Sequence, residues 1–541
     1  MRSLILKIHE QYANKQVNVT TIIKNSQRQN KQAAFLNSVI TDNYEATIDQ
    51  AKILDEHFPS ENLLAGIPYT LKDNISTKDI RTTAGSKFLA DYIPPYSATV
   101  YDLLNRQHAL MVSKSNLDEF GLGGTGTFSS FGIVKNVLDP LKTTGGSSSG
   151  SANLVAANIV AFAIATDTGD SIRRPASFTG IVGFKPSYGS ISRYGVIPYA
   201  PSLDTVGILA RYVADIAIVA DTVFAYDEKD YTSRKTDAKN FFKNLTPLKN
   251  IKFVAIRNLE KHMHQEVEAL YLSALATINK EYPIEYVDVD DHILKALGPT
   301  YMVLANGEAS SCMNNCQGLT FGPKTDPNQT YEEQLFAGRT YGFGNQLKRR
   351  LTIGAYVTNE QNHAEIFLHA KKVRTALINE IERILAHGDC LILPGSGSFA
   401  PSIADVVNER FSTTIADDTL LFANFAGCPS ITLPYKKIGN TWGINLSCPF
   451  GQDQKLLNVA FNVENVFCNV ETTIDKHIKK HHHKIVNAKT ADVVLLFTLT
   501  VFLGATITFG IMTIAEWYGI IFLALGLIWI PFAYLIYRKV L

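Results

Sequence analysis

Apolar residues recur along this chain in three patterns. Short unbroken runs, AFAIA at 161–165 and VGILA at 206–210, have the length and bulk of buried strands, whereas KKVRTALINEIERILAH at 371–387 repeats its apolar positions with the period of a helix. Such stretches alternate without an internal repeat, which predicts one large α/β body. A polar segment at 226–249, rich in Asp, Lys and Thr, predicts a surface excursion or the seam before a second lobe. The third pattern lies at the C-terminus. The uncharged run from Val493 to Ala515, 23 residues, is long enough as a helix to cross a bilayer, and Ile520 to Ile536 is long enough to return. Lys476, Lys479, Lys480, Lys484 and Lys489 precede the first span and Arg538 and Lys539 follow the second, with Glu516 between them. This charge bias predicts a transmembrane hairpin with both ends inside. The expected organisation is a catalytic domain at 1–469, a basic juxtamembrane linker at 470–490 and a two-helix transmembrane hairpin at 491–541.

Composition narrows the function classes. The chain has 541 residues, 46% hydrophobic, with 51 Lys and Arg against 50 Asp and Glu, a net charge of +1. It is long enough to bury a large core, and it has no overall basic excess for gripping nucleic acid. Any RNA is therefore expected to be held mainly by a partner. The N-terminus has no apolar run of signal-peptide length. Six scattered cysteines, with no second Cys/His pair at zinc spacing beside Cys312 and Cys316, predict reduced thiols in a cytosolic body. His477, His481, His482 and His483 sit among lysines and read as a solvated stripe facing a membrane surface. No metal site is predicted. The resulting localisation is a cytoplasmic catalytic domain anchored to the cell membrane.

The chemistry concentrates in GGSSSGSA at 145–152 and TDTGDSIRRPA at 166–176. Glycine admits positive φ and close approach, so these clusters suit backbone N–H groups gathered around a reacting atom. A serine nucleophile needs a base, but no histidine lies in this region; the nearest upstream is His108. Lys72, at the end of the strand-like GIPYTLK, fills the gap, because a desolvated lysine has a lowered pKa and can act as a neutral base. Singly, each residue has an ordinary reading: a surface lysine, or serines capping helices and closing turns. Their joint occurrence favours catalysis.

The segments GIPYTLKDN, SKSNLDEFGLG, GGSSSGSA, TDTGDSIRRPA, GIVGFKPSYG, SLDTVGILAR and NFAGCPSITLP follow the order found in the amidase signature family, which the chain resembles from about residue 60 to 465. The resemblance implies an α/β fold, a mixed central sheet covered by helices on both faces. It also implies a Ser/cis-Ser/Lys triad, with Ser171 as nucleophile, Ser147 as relay and Lys72 as base, and an oxyanion hole from the backbone of Thr168, Gly169 and Asp170. Asp118 is expected to accept structural hydrogen bonds and Arg173 to brace the loop. Within the family, KDNISTKDIRTTAGSKFL, TYMVLANGEASS, FGNQLKRRLTIGAYV and KKVRTALI are most similar to the A-type component of bacterial aspartyl/glutamyl-tRNA amidotransferases. That similarity implies a glutamine site in which Tyr301 lines the pocket, Arg350 grips the α-carboxylate and Asp417 pairs with the α-ammonium. It further implies B and C type partner subunits in a heterotrimer, misacylated tRNA bound mainly through the partner, ATP and Mg on the partner, and no cofactor in this chain.

Three positions depart from the family pattern. Asp170 stands where the family has Gly before the nucleophile, Ser149 replaces another Gly, and CMNNCQGLTFG at 312–322 lacks the Arg and the acidic residue with which the subfamily continues. An inward Asp170 carboxylate would oppose charge on the oxyanion, so an outward arrangement toward Arg173 or Arg174 is expected. Two other readings stay open: a stand-alone membrane-anchored amidase for small or lipid amides, and a non-catalytic membrane scaffold. Arg350 with Asp417 weighs against the first, and the presence of Lys72, Ser147 and Ser171 against the second.

Overall fold

The apolar runs become strands of a single mixed sheet. The computed structural model describes residues 1–236, 240–438 and 440–467. In chain order its strands are β1 (Val39–Asp42), β2 (Pro68–Lys72), β3 (Leu110–Ser115), β4 (Phe162–Asp167), β5 (Val182–Lys185), β6 (Thr205–Ala210), β7 (Phe253–Ile256), β8 (Ile284–Val287), β9 (Cys390–Pro394), β10 (Ser430–Ile438) and β11 (Asn440–Ser447). They pair in the order β1-β3-β2-β4-β6-β5-β10-β11-β9-β7-β8. AFAIA lies largely in β4 and VGILA in β6, and every residue of both strands is buried. Runs without polar alternation are what a sheet covered by other elements requires. The predicted helix at 371–387 is observed as Leu368–Leu385, and the polar segment from 226 to 249 has no helix or strand among its described residues.

Strand direction creates the functional edge. β2 runs parallel to both β3 and β4, so the carboxyl ends of all three open on the same side of the sheet. Ligands in open α/β sheets gather beyond such ends. Here they carry Lys72, Ser115 and Asp167, each leading into one of the signature loops. Tyr69 of β2 stacks on Phe162 of β4 at 5.0 Å, fixing the two strands that flank the site.

The expected transmembrane hairpin needs correction. Among the described residues no helix is long and apolar enough to cross a membrane. The longest of them, Asp291–Cys312, carries charged residues and a proline and packs within the body. The predicted linker at 470–490, its histidine cluster and the hairpin at 491–541 lie outside the described residues. The membrane anchor, the membrane localisation and the membrane as a partner are therefore not carried further.

Candidate active site

Lys72 ends β2 fully buried, and its Nζ donates to Ser147 Oγ at 2.8 Å, to Thr166 Oγ1 at 2.9 Å and to Thr166 O at 3.2 Å. Burial lowers its pKa to about 7 against the opposing fields of Asp118, Asp167 and Asp204. A large fraction of the amine is thus neutral at physiological pH, as a base requires. Asn74 donates to the same Thr166 hydroxyl at 3.1 Å, which fixes the rotamer against which Lys72 rests.

Ser147 is reached through backbone that only glycine tolerates. Gly145 has φ +77°, the Gly146–Ser147 peptide is cis, and a Cβ on Gly146 would overlap the Asp118 carboxylate. Asp118 accepts from Gly126 N at 3.1 Å and Phe128 N at 2.9 Å, so it holds the facing loop in the structural manner its motif suggested. Ser148 N donates to Ser171 O at 3.1 Å, which ties the two serine-bearing turns together. Ser147 and Ser171 are both more than nine-tenths buried.

The turn from Thr168 to Ser171 is held by its carbonyls. Gly169 O accepts from Arg173 Nη2 at 2.6 Å and Asp170 O accepts from Arg174 N at 2.9 Å. In a trans peptide the N–H points opposite to the C=O, so the N–H groups of Asp170 and Ser171 turn away from these donors. Arg173 is a brace, as its position suggested: it is fully buried and forms a two-pronged pair with Asp167, at 3.1 and 3.0 Å, while also donating to Asn424 and Leu420 O. Asp170 points toward Arg174, whose Nη2 contacts Asp170 Oδ2 directly, and its φ is not positive, so Asp replaces Gly there without left-handed backbone strain. Burial raises the Asp170 pKa to about 6, with Arg174 opposing the rise.

Beyond this turn lies a cleft of about 1300 Å³, whose lining includes Gly169, Asp170, Tyr301, Arg350, Asp417 and Asp418. The Tyr301 ring sits against Gly169, where a Cβ would stand 3.0 Å from it. Arg350, on the helix Asn345–Thr358, faces the cleft rather than serving as an exposed helix charge, and its Nη1 donates to Tyr199 Oη at 2.9 Å. Its Nε is buried without a hydrogen-bond partner among the described residues. Asp417, expected to pair with the α-ammonium, lines the cleft and is also engaged within the chain. It closes a capping box with Thr414 and also accepts from Gly397 N at 2.9 Å and Ser396 Oγ at 3.2 Å. Burial alone would raise its pKa, but Arg174 and these N–H donors outweigh it and the pKa is lowered.

Two residues of the site escaped sequence reasoning. Asp204 accepts from Thr168 Oγ1 at 2.6 Å and from the N–H groups of Tyr199 and Ala200 at 2.9 and 3.0 Å, and Tyr199 in turn receives Arg350. A chain of bonds therefore runs from the turn before Ser171 to the cationic wall of the cleft. Asp204 stands in the SLDTVG motif, immediately before β6, where its acidic residue was the available signal; Tyr199 has no local signal, because only the fold brings Arg350 to it. Replacing Tyr199 by Phe should raise the KM for a carboxylate-bearing substrate about 5- to 10-fold, the worth of one charge-assisted hydrogen bond, with kcat nearly unchanged. Steady-state kinetics on the variant checks this; an equal fall in kcat would show that Tyr199 does more than orient Arg350.

Comparison with known proteins agrees with this architecture. The Amidase family model matches residues 19–457. The chain belongs to the amidase family. It is 44% identical over 414 residues to the A-type component of glutamyl-tRNA(Gln) amidotransferase from Mycoplasma genitalium, covering 75% of this chain and 87% of that protein. The protein of the same name from Mycoplasma pneumoniae is 41% identical over 485 residues, 86% of this chain and 99% of the relative. Among solved structures, the corresponding glutamyl-tRNA(Gln) amidotransferase component of Thermotoga maritima superposes with a TM-score of 0.67 at 28% identity, covering 83% of this chain and 91% of that one. The peptide amidase of Stenotrophomonas maltophilia, at 23% identity and a TM-score of 0.72 over 86% of this chain and 96% of that one, shares the fold. The chain is an enzyme of the amidase family.

Proposed function

We propose that this enzyme is the glutaminase subunit of a glutamyl-tRNA(Gln) amidotransferase, releasing ammonia from glutamine for a partner subunit. The observation that carries the reading is the buried Lys72–Ser147 bond of 2.8 Å at the carboxyl edge of β2, beside the turn that holds Ser171. Ser171 Oγ attacks the side-chain amide carbon of glutamine while its proton passes to Ser147 Oγ, whose own proton passes to Lys72 Nζ. The tetrahedral oxyanion is received by the N–H groups of the 168–171 turn, worth about 3 to 4 kcal/mol for one donor. Lys72 returns the proton through Ser147 to the departing nitrogen, the C–N bond breaks and ammonia leaves. Water then attacks the γ-glutamyl ester, giving up its proton along the same path, and glutamate and Ser171 are regenerated.

Arg350, Tyr301 and the acidic wall hold the substrate. A guanidinium and carboxylates lining one cleft match the zwitterion of a free amino acid and not a fatty or peptide amide. The names of the relatives favour Glu-tRNA(Gln) as the final acceptor. B and C type subunits as partners in a heterotrimer, with tRNA held mainly by the partner, belong to the same proposal. ATP and Mg would belong to that partner, where activation of the acceptor carboxylate needs them. The deciding measurement is ammonia release by the full chain, alone and with co-purifying partners, from glutamine, from a dipeptide amide and from an apolar amide. Glutamine is expected to be preferred by about two orders of magnitude, the discrimination a pair of buried polar contacts provides. A preference for the apolar amide would sink the reading.

A further inference from the structure

The helix Asn345–Thr358, which carries Arg350, begins against its own electrostatics. Its first turn holds no acidic residue, and Lys348, Arg349 and Arg350 follow at once, cations close to the positive end of a helix dipole. Its N-cap is Gly344, which has no side chain to accept from the free N–H groups of that end. The missing anion comes from a distant part of the chain. Glu119 of the DEFGLG motif, 2% exposed, accepts from Gly344 N at 2.8 Å through Oε2 and from Ser86 Oγ at 2.5 Å through Oε1. The first of these is the bond that a first-turn Glu makes in a capping box, where this helix has Leu347. Gly344 is fitted to it, because a Cβ there would stand 2.6 Å from Glu119 Oε2. The approach to the helix is packed on the same side: Phe343 lies against Phe88 and Phe120, with ring centroids 5.1 and 6.0 Å apart, and a Cβ on Gly342 would overlap the Phe88 ring.

We propose that Glu119 is the positioning residue for Arg350: it anchors the helix that carries the guanidinium, and so sets the affinity of the cleft for a substrate carboxylate. The inference rests on the glutaminase reading and adds a support behind the same cleft. Glu119 directly follows Asp118, whose carboxylate holds the loop facing Ser147. The two acids of one motif thus fix two sides of one site, the serine-bearing turn and the cationic helix. Arg350 stands six residues beyond Gly344, about 9 Å along the helix axis, so Glu119 acts on it through the helix. Glu119, Gly344 and Arg350 all line the cleft, yet both Glu119 oxygens are bonded to the chain, which leaves the carboxylate committed to holding the wall. Burial raises its pKa to about 7, against Ser86, the Gly344 N–H, Lys348 and Lys87, so the anchor is fully charged only above that value.

The test is steady-state glutamine hydrolysis by the full chain with its co-purifying partners, at about pH 8, where the buried Glu119 carboxyl is ionised. Glu119→Gln keeps an acceptor for the Gly344 N–H but loses the charge, and is expected to raise KM about 3- to 5-fold with kcat within about 2-fold. Glu119→Ala removes acceptor and charge together and should raise KM about 30-fold with the same split. Gly344→Ala, which pushes the carboxylate off its seat, should also act on KM and spare kcat. Because the effect passes through Arg350, adding Glu119→Ala to Arg350→Met should leave the KM of the latter within about 2-fold. The assignment is overturned if Glu119→Gln and Glu119→Ala leave the glutamine KM in place, if they lower kcat as much as they raise KM, or if Glu119→Ala multiplies in full with Arg350→Met. Each of those results leaves a wild type that hydrolyses glutamine, and so removes this assignment alone. Wild-type protein that releases no ammonia from glutamine removes the glutaminase reading, and this assignment with it.

Discussion

Lys72→Met is expected to lower kcat for amide hydrolysis about 10³- to 10⁴-fold, because it removes the base bonded to Ser147 while retaining the volume that β2, β3 and β4 enclose. The fall should not come from unfolding. An unfolded lysine is charged up to its ordinary pKa of 10.5, whereas burial lowers the folded value to about 7. Between those values the unfolded state binds more protons, so the stability of the wild type rises with pH across that window. Below it, the cost of the buried ammonium is present in full. Methionine has no charge to desolvate, and the thermal midpoint of the variant at pH 6 should be held or raised. In the wild type, kcat/KM should climb as pH approaches about 7 from below and then level off, since only the neutral amine accepts the Ser147 proton. A profile flat from about pH 5.5 to 8.5, or a variant retaining a tenth of the activity, would remove Lys72 from the role of base.

The catalytic edge was readable from the chain because its signals are local. Small-residue runs and a lysine closing an apolar strand are written in consecutive residues, and the strands AFAIA and VGILA are long enough to specify themselves. Residues whose placement depends on distant partners were named only through the family resemblance, as Arg350 was, or not at all, as with Tyr199. Arg350 has the spacing of an exposed helix charge until Tyr199, more than a hundred residues away, is folded against it. Asp417 does carry a local signal, since Thr414-x-x-Asp417 is a capping box in sequence, and that pattern already commits its carboxylate to backbone. The C-terminal apolar runs lie outside the described residues, and among the described helices none is long and apolar enough to span a bilayer.

Asp170 raises the sharper question, because its carboxylate stands next to the proposed oxyanion donors. The answer in the structure is Arg174, one helical turn on, whose guanidinium contacts the Asp170 carboxylate in a nearly buried pair. Paired in this way, Asp170 presents little net field to the turn, so Asp170→Gly alone should change kcat less than about 3-fold, within about 1 kcal/mol. Arg174→Ala should act far more strongly. It leaves Asp170, Asp417 and Asp418 without their shared cation, which lifts the Asp170 pKa further, and at pH above that raised value a single uncompensated carboxylate on the order of 5 Å from the oxyanion costs about 3 kcal/mol at an effective dielectric near 20. A fall in kcat of about 10²-fold is expected, accompanied by a lower thermal midpoint, because a buried pair broken on one side strands a charge. The double variant Asp170→Gly/Arg174→Ala should recover at least about tenfold of that kcat, since the carboxylate nearest the oxyanion is gone. The two remaining carboxylates, Asp417 and Asp418, keep the recovery incomplete. A double-variant cycle with no coupling between positions 170 and 174 would mean that Arg174 acts on the substrate directly and that Asp170 is no burden to the oxyanion hole.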